Sequence, residues 1–215
     1  MDAPEEWVDA FRKVEAEWLS EGMIGLWNYK NKRPIELKKL LDISPEALKK
    51  LYAALRKERV QFERQNIPFN LDIHGLLKGV KSRKLKAFIV VHNYVAWYEW
   101  TKRLLYKIYK AKLGKGPKND EELMKFLDEY PTWKVFMVTR GWEIRANQIR
   151  NCVAHEKFYF DYKNSELVFM VKKEKRVRLL ELELKISSMS EFYAILLKSL
   201  REKVTKGEIS YKEPL

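Results

Sequence analysis

The spacing of the apolar residues changes at residue 155, and this change constrains the fold more than any other feature of the sequence. Up to that point apolar residues recur every three or four positions, as on one face of an α-helix. In FYFDYKNSELVFMV, residues 158–171, they recur at every second position on both sides of a KNS turn. The segment VRLLELELKI, residues 177–186, follows a KKEK turn with similar alternation. The sequence therefore predicts helices followed by an antiparallel β-hairpin and a third strand.

Residues 1–75 contain three helical patterns. The first begins at a capping box near the N-terminus and runs to about Ser20. Residues 35–41 and 45–64 form the other two, joined by a short turn with Ser44 as the N-cap. This pair has the leucine spacing of a helix-turn-helix, whose second helix enters a groove of DNA. We expect an N-terminal helical accessory region that packs on the rest of the chain, and DNA binding by the pair is the alternative.

A long helix is expected from about Ser82 to Ala111. Its apolar stripe includes Leu85 and Phe88 and continues along the helix at helical spacing. His92 falls on the same face, so we expect its imidazole to form hydrogen bonds inside the core.

Three further helices are predicted beyond it. Residues 119–122 cap a short helix that Pro131 ends. A helix of about residues 132–154 leads into the hairpin, and residues 188–191 cap the final helix. The expected fold is mainly α, with a helical domain over residues 76–215 that carries a small three-stranded antiparallel insertion.

The positive charge is confined to one part of the chain. The formal net charge is +13, and residues 1–75, with 13 basic and 13 acidic side chains, contribute none of it. Residues 78–118 carry 12 basic side chains and one acid. Such a surface can neutralise several phosphates, so we expect a nucleic-acid partner, RNA in particular. The alternative is a lysine-rich solvated surface.

Several sequence signals are missing, and each excludes a class of protein. Cys152 is the only cysteine, so the chain cannot form an internal disulfide. The sequence MDAPEEWVDAF lacks the segments of a secretory signal, and no apolar run approaches 18 residues. We therefore expect a cytoplasmic protein without a membrane partner. Abundant Lys and Glu with few Gln are typical of a thermophilic source.

The stretch IRNCVAHEKF, residues 149–158, contains the groups that metal-independent RNA cleavage needs. That reaction needs a base for the 2′-hydroxyl, a cation for the charge of the phosphorane, and an acid for the leaving 5′-oxygen. His155 can serve either proton role near neutral pH. Arg150 can clamp the phosphate through two parallel hydrogen bonds. Asn151 can orient the imidazole or hold a phosphate oxygen. These three are the predicted catalytic residues.

Helix geometry places Arg150 and His155 apart. A five-residue offset on an ideal helix turns one side chain about 140° away from the other. The two groups converge only if the helix loosens near His155 or if two copies of the motif meet across a dimer.

The motif resembles that of HEPN domains. RNCVAH, residues 150–155, is similar to the family's R-x4-6-H motif in the variant with Asn after Arg and a small residue before His. The hairpin and the closing helix ISSMSEFYAILLKSL are also similar to one branch of these proteins, so the resemblance covers about residues 82–215. It implies a HEPN-type helical bundle, usually a homodimer with a composite cleft. It also implies cleavage of single-stranded RNA without metal or cofactor, by a toxin or antiviral effector with an antitoxin or defence-complex partner.

Four residues near the motif are supporting candidates. Glu99 and Arg103 resemble the E-x3-K pairing of some HEPN proteins, with Arg in place of Lys. Glu99 can orient a motif side chain, or alternatively pair with Arg103 on one helix surface. Arg145 and Lys157 flank the motif as phosphate contacts, with solvated charge as the alternative. Lys157 also stands where HEPN toxins neutralised by AMPylation carry Tyr, so we do not expect that type of antitoxin.

Other interpretations of the same residues stay open. His155 can be a helix-end residue that interacts with the last carbonyls, and Cys152 fits a small core residue better than a thiol nucleophile. Trp133 and Trp142 fit the core, with base stacking as the alternative. The sequence has no HExxH, no CxxC and no Gly-rich phosphate loop, so neither a metal nor a cofactor is expected. The rival function is non-catalytic: a helix-turn-helix DNA-binding regulator or a HEPN nucleotide-binding scaffold.

Overall fold

A computed structural model of the chain describes residues 35–65, 77–134 and 144–206. Within these ranges the chain is mainly helical and has one three-stranded antiparallel sheet, as the sequence predicts. None of the described helices combines the length and the hydropathy needed to span a bilayer. The helix predicted to end near Ser20 and the side chain of Trp142 lie outside the described residues.

The described elements follow one another in a helix–sheet–helix order. In chain order they are α1 (Pro45–Gln65), α2 (Arg83–Leu113), α3 (Asp120–Leu127), α4 (Pro131–Lys134), α5 (Ala146–Ala154), β1 (Phe158–Asp161), β2 (Glu166–Met170), β3 (Glu174–Arg178) and α6 (Leu179–Lys206). A further helical segment, residues 35–40, precedes α1. The small sheet therefore lies between α5 and α6 in the chain.

Helix α2 is the central element, and its predicted bounds are confirmed to within two residues. At its start the hydroxyl of Ser82 accepts a hydrogen bond from the backbone N–H of Leu85 at 3.3 Å. At its end Gly114 adopts a left-handed φ of 76° and donates its N–H to the carbonyl of Lys110 at 2.9 Å. The helix packs mainly against α6 and also contacts α1, α3 and α5.

The predicted apolar stripe of α2 is only partly correct. Leu104 and Ile108 are fully buried, but about half of the Leu85 and Phe88 surface is exposed, and His92 is exposed rather than placed in the core. The reason is that α2 is apolar on more than one face, so periodicity alone does not select the buried one. The face that is buried in its first half includes the polar Asn93 and the apolar or aromatic residues Ala87, Val90, Val91, Tyr94, Trp97 and Tyr98.

The hairpin forms as predicted, directly behind α5. In β1 and β2, Phe158 pairs with Phe169 and Phe160 with Leu167. In the connecting turn the side chain of Asp161 accepts the backbone N–H of Lys163 at 3.0 Å. The middle of β2 is fully buried, so this strand anchors the sheet to the helices.

The third strand and the last helix differ from the prediction. The strand β3 ends at Arg178, before most of the segment predicted as a strand, and it includes the second half of the predicted KKEK turn. Helix α6 begins at Leu179 rather than near Ser188. Leu182, Ile186 and the apolar residues that follow are buried at intervals of three and four, which is the helical period. The apolar residues of 177–186 fit the period of a strand as well as that of a helix. The segment is mainly helical because its helical face packs against α2.

The predicted helix of residues 132–154 is not continuous. Pro131 does not merely end the preceding helix, which stops at Leu127; it begins the short α4, where its fixed φ suits a first turn. Before α5, Arg145 has an extended backbone with φ of −81° and ψ of 150°, so a new helix begins at Ala146. The backbone N–H of Arg145 donates to the side chain of Gln148 at 3.0 Å, which stabilises this start.

The N-terminal helices share a core with the rest of the described chain. Helix α1 packs on both α2 and α6, and leucines of residues 37–55 belong to the same buried cluster as those of α6. Two lysines also donate to carbonyls at the end of the 35–40 segment: Lys112 to that of Lys39 at 2.8 Å and Lys203 to that of Leu41 at 2.9 Å. These bonds satisfy carbonyls that a helix end leaves without partners.

The helical assignment of residues 179–187 can be tested by stability. Leu182→Ala should lower the free energy of unfolding by about 2–5 kcal/mol, because it leaves a cavity in a fully buried site. The control Ser187→Ala, on the exposed side of the same helix, should change it by less than about 0.5 kcal/mol. Urea denaturation followed by circular dichroism measures both. Equal values for the two variants would contradict the burial of Leu182.

Candidate active site

Helix α5 presents the motif side chains to solvent because its other face is apolar. Ile149, Cys152 and Val153 are buried, and α5 packs against α2 and β2 through this face. Arg150 and Asn151 lie on the opposite side and are exposed. The short helix is therefore a rigid platform that points the first half of the motif outward.

Arg150 is held by Glu99 of α2. The guanidinium Nε lies 3.0 Å from Oε1 of Glu99, whose carboxylate is three-quarters buried, whereas half of the arginine side chain is exposed. A pair this exposed contributes no more than about 1 kcal/mol, and Oε1 of Glu99 accepts no hydrogen bond, so the contact positions Arg150 through charge and not through a directional bond. Because Glu99 engages Nε, the two terminal amino groups of Arg150 still have donors for a phosphate. Within the described residues no ion pair joins Glu99 to Arg103.

A second carboxylate, Asp120 at the start of α3, lies near this pair. It accepts a 2.6 Å hydrogen bond from Tyr106 and forms a 2.6 Å ion pair with Lys102. Partial burial raises the pKa of Asp120, but these two bonds and the charge of Arg150 outweigh it and leave the pKa below its usual value. Desolvation and the bond to Asp120 raise the pKa of Tyr106 to about 12. Arg150 thus lies beside two carboxylates, those of Glu99 and Asp120.

The helix loosens at His155. This is one of the two arrangements that helix geometry requires for Arg150 and His155 to approach each other. His155 is the C-cap, with φ of −109° and ψ of 13°, and the next residue, Glu156, has a left-handed φ of 54°. The N–H of Glu156 donates to the carbonyl of Val153 at 3.2 Å, and that of Lys157 to the carbonyl of Cys152 at 2.7 Å. This is the Schellman arrangement, in which Gly normally occupies the left-handed position.

His155 is exposed but does not touch Arg150. The N–H of His155 still donates to the carbonyl of Asn151 at 3.1 Å, so the imidazole extends from the last turn of the helix, and the chain bends only after it. Within the described residues no hydrogen bond or ion pair joins the two side chains. Both groups are accessible to a ligand, and a second copy of the motif remains the other route by which they could act on one phosphate.

The remaining predicted residues are dispersed around α5. Arg145 is its exposed N-cap, about 15 Å from His155 at the helical rise. Lys157 is exposed immediately after the bend. The thiol of Cys152 is buried 3.8 Å from the carbonyl oxygen of Met170, and burial raises its pKa, which fits a core residue. Trp133 is fully buried and so is not available for base stacking.

A groove beside the motif was not predicted. It has a volume of about 940 Å³ and lies between α2, α5 and the hairpin. Its aromatic lining includes Phe88 and His92 of α2 and Phe158 of β1, and its basic lining includes Lys84 and Arg150. We call it the aromatic groove. The apolar periodicity of α2 identified Phe88 and His92 as part of one face, but this periodicity predicts burial in the core as readily as the lining of a groove.

The surroundings of His92 favour its neutral form. Partial burial beside the groove disfavours the charged imidazole and lowers its pKa below the usual 6.5. Its ring lies 4.1 Å from that of Phe88 and 6.2 Å from that of Phe158, measured between centroids. His92 therefore extends an aromatic surface in the groove.

Metal-ligand geometry is not evident in the described ranges, where no three His, Cys, Asp or Glu side chains are grouped so that they could hold an ion. Comparison of the chain with models of protein families, with curated proteins and with solved structures finds no match.

The bend after His155 can be tested through its backbone. Glu156→Gly should raise the free energy of unfolding by about 1 kcal/mol, because Gly adopts a left-handed φ without the steric penalty of a side chain. Glu156→Ala is the matched control: it removes the same carboxylate but keeps the strained conformation, so it should bring no gain. Chemical denaturation of the three proteins measures the difference, and a destabilised glycine variant would contradict the left-handed conformation.

Proposed function

We propose that the chain is a metal-independent endoribonuclease that cleaves single-stranded RNA to 2′,3′-cyclic phosphate ends. Arg150, Asn151 and His155 are its catalytic residues. The observation that carries the proposal is an exposed arginine, ion-paired at 3.0 Å with a mostly buried carboxylate, on a short helix whose C-cap is an exposed histidine.

Each group has a defined part in the reaction. The imidazole of His155 accepts the proton of the 2′-hydroxyl, and the 2′-oxygen attacks phosphorus. The terminal amino groups of Arg150 donate to the equatorial oxygens, where the transition state gathers charge. Asn151 donates its amide to a phosphate oxygen or orients the imidazole. The bond to the 5′-oxygen then breaks, and that oxygen receives a proton.

The proposed assembly is a homodimer, which supplies the second proton-transfer group. One His155 cannot act as base and acid in the same concerted step, and a second copy of the motif brings a second imidazole to the cleft. The resemblance to HEPN proteins supports this arrangement. It also supports the proposal of a toxin or antiviral effector controlled by an antitoxin or a defence complex.

The decisive experiment is cleavage of labelled single-stranded RNA by the full chain in EDTA. Arg150→Ala and His155→Ala should each reduce the rate by about 10²–10⁴-fold, since each removes a charge-stabilising or proton-transfer group. The control Lys198→Ala removes an exposed cation from α6, away from the motif, and should retain most of the rate. Products of the active proteins should carry 2′,3′-cyclic phosphates, seen by gel mobility before and after acid or phosphatase treatment.

Undiminished cleavage by His155→Ala would refute the assignment of catalytic residues. Absence of cleavage by the parent chain, together with duplex DNA binding that Lys49→Glu removes, would instead favour the DNA-binding regulator. Lys49 lies on the exposed side of α1, so this variant leaves the core intact.

The role of Glu99 can be separated from that of its neighbour on α2. Glu99→Ala should lower the cleavage rate by about 10- to 100-fold, because a misoriented guanidinium meets the phosphate less well. Arg103→Ala, one helical turn further on and exposed, should stay within about twofold. Rate constants for the two variants at saturating RNA measure the effect. Equal losses of cleavage rate in the two variants would contradict a specific role for Glu99.

A further inference from the structure

The aromatic groove has the features of a site for an unpaired base. Three rings lie in sequence along its wall: Phe88, then His92 at 4.1 Å, then Phe158 at 6.2 Å from His92. Half of the Phe88 surface is exposed, so its ring has an open face. Proteins that bind single strands stack successive bases on aromatic rings of this kind.

The groove also has cations where a phosphate chain would run. Lys84 lies at its α2 end and Arg150 at its α5 side, with one acid, Glu156, in the lining. Helix α2 begins with Arg83 and Lys84 and has no acid in its first turn. Cations at a helix N-terminus oppose the helix dipole, so this arrangement is unfavourable for folding and favourable for an anion.

The neutral state of His92 fits the same ligand. A charged imidazole would be strongly hydrated, whereas the lowered pKa of His92 favours the uncharged ring. That ring can stack against a base as the neighbouring phenylalanines do.

We propose that the aromatic groove binds one unpaired base of single-stranded RNA, stacked on Phe88 and His92, with the adjoining phosphate at Arg150. The inference deepens the proposed function, on which it rests. Because Arg150 belongs to both the groove and the motif, the bound base determines which phosphate lies at the motif.

Charge complementarity favours RNA over a second copy of the chain as the occupant. The groove pairs an apolar aromatic floor with basic side chains at two of its edges, which matches the base and phosphate of one nucleotide. A self-associating face of this kind would have to bury Lys84 against residues of the same basic surface.

The test uses the full chain with His155→Ala, which binds RNA without cleaving it. A labelled 12-nucleotide single strand gives the dissociation constant by anisotropy, and a 2-aminopurine in the strand reports stacking through its fluorescence. Phe88→Ala should weaken RNA binding roughly 5- to 150-fold, the range of base stacking on an aromatic side chain. It should also raise the fluorescence of the bound 2-aminopurine, which stacking quenches. Lys84→Ala should reduce the salt dependence of binding by about one unit of slope.

Leu85→Ala is the matched control. Leu85 is as exposed as Phe88 and lies one turn away on α2, but it does not line the groove. Its affinity should stay within about twofold of the parent. Duplex RNA of the same sequence should compete at least about tenfold more weakly, because its bases are already paired and stacked.

Different failures identify different errors. If Phe88→Ala and Leu85→Ala bind RNA with equal affinity, and the chain that retains His155 still cleaves RNA, the groove proposal alone is overturned. No binding and no cleavage of any single strand would overturn the proposed function with it. A change from dimer to monomer on Phe88→Ala, seen by light scattering without RNA, would assign the groove to a second copy and overturn the RNA site.

Discussion

The packing of α5 on α2 is the interaction on which the candidate site depends. Ile149 and Val153 bury one side of a nine-residue helix, and that burial alone fixes which side faces out. Helices of this length are marginal in isolation, so tertiary packing must provide most of the stability of α5. The same contact brings Arg150 of one helix to Glu99 of the other at 3.0 Å. The orientation of a charged group in solvent thus follows from apolar contacts beneath it.

The connection between α5 and β1 shows how local strain and the site are related. The chain passes from helix to strand through three residues, and the N–H of Met170 donates to the carbonyl of Lys157 at 2.9 Å, which joins the bend to the sheet. The chain reverses direction within this short connection through the left-handed φ of Glu156, a conformation that is sterically unfavourable for residues with a Cβ atom. Non-glycine residues in this conformation persist where the surrounding structure fixes them, and functional sites are common among such places. His155 lies at the joint, directly before the strained residue.

Helix caps, turn residues and apolar alternation predicted the elements that interactions between sequence neighbours determine. Ser82 and Asn119 cap α2 and α3 as expected, and alternation identified the hairpin with its turn. The errors arose where two patterns fit one segment. Residues 177–186 satisfy the periods of both strand and helix, and Phe88 lies on one of several apolar faces of α2. In both cases long-range packing decides, and the local pattern of apolar residues does not show which packing forms. The motif residues were found by chemistry and resemblance, whereas the groove depends on which face of α2 stays uncovered.

Arg150 connects substrate binding with chemistry in the proposed enzyme. It lines the aromatic groove, while His155 does not, although five residues separate them in the chain. A guanidinium shared between a base-binding groove and a cleavage motif makes the position of the scissile phosphate a consequence of where the base stacks. The nearby carboxylates of Glu99 and Asp120 limit how strongly Arg150 attracts a phosphate in the ground state, since they already neutralise part of its charge. Its charge then counts most in the transition state, where the phosphorane carries more negative charge than the substrate.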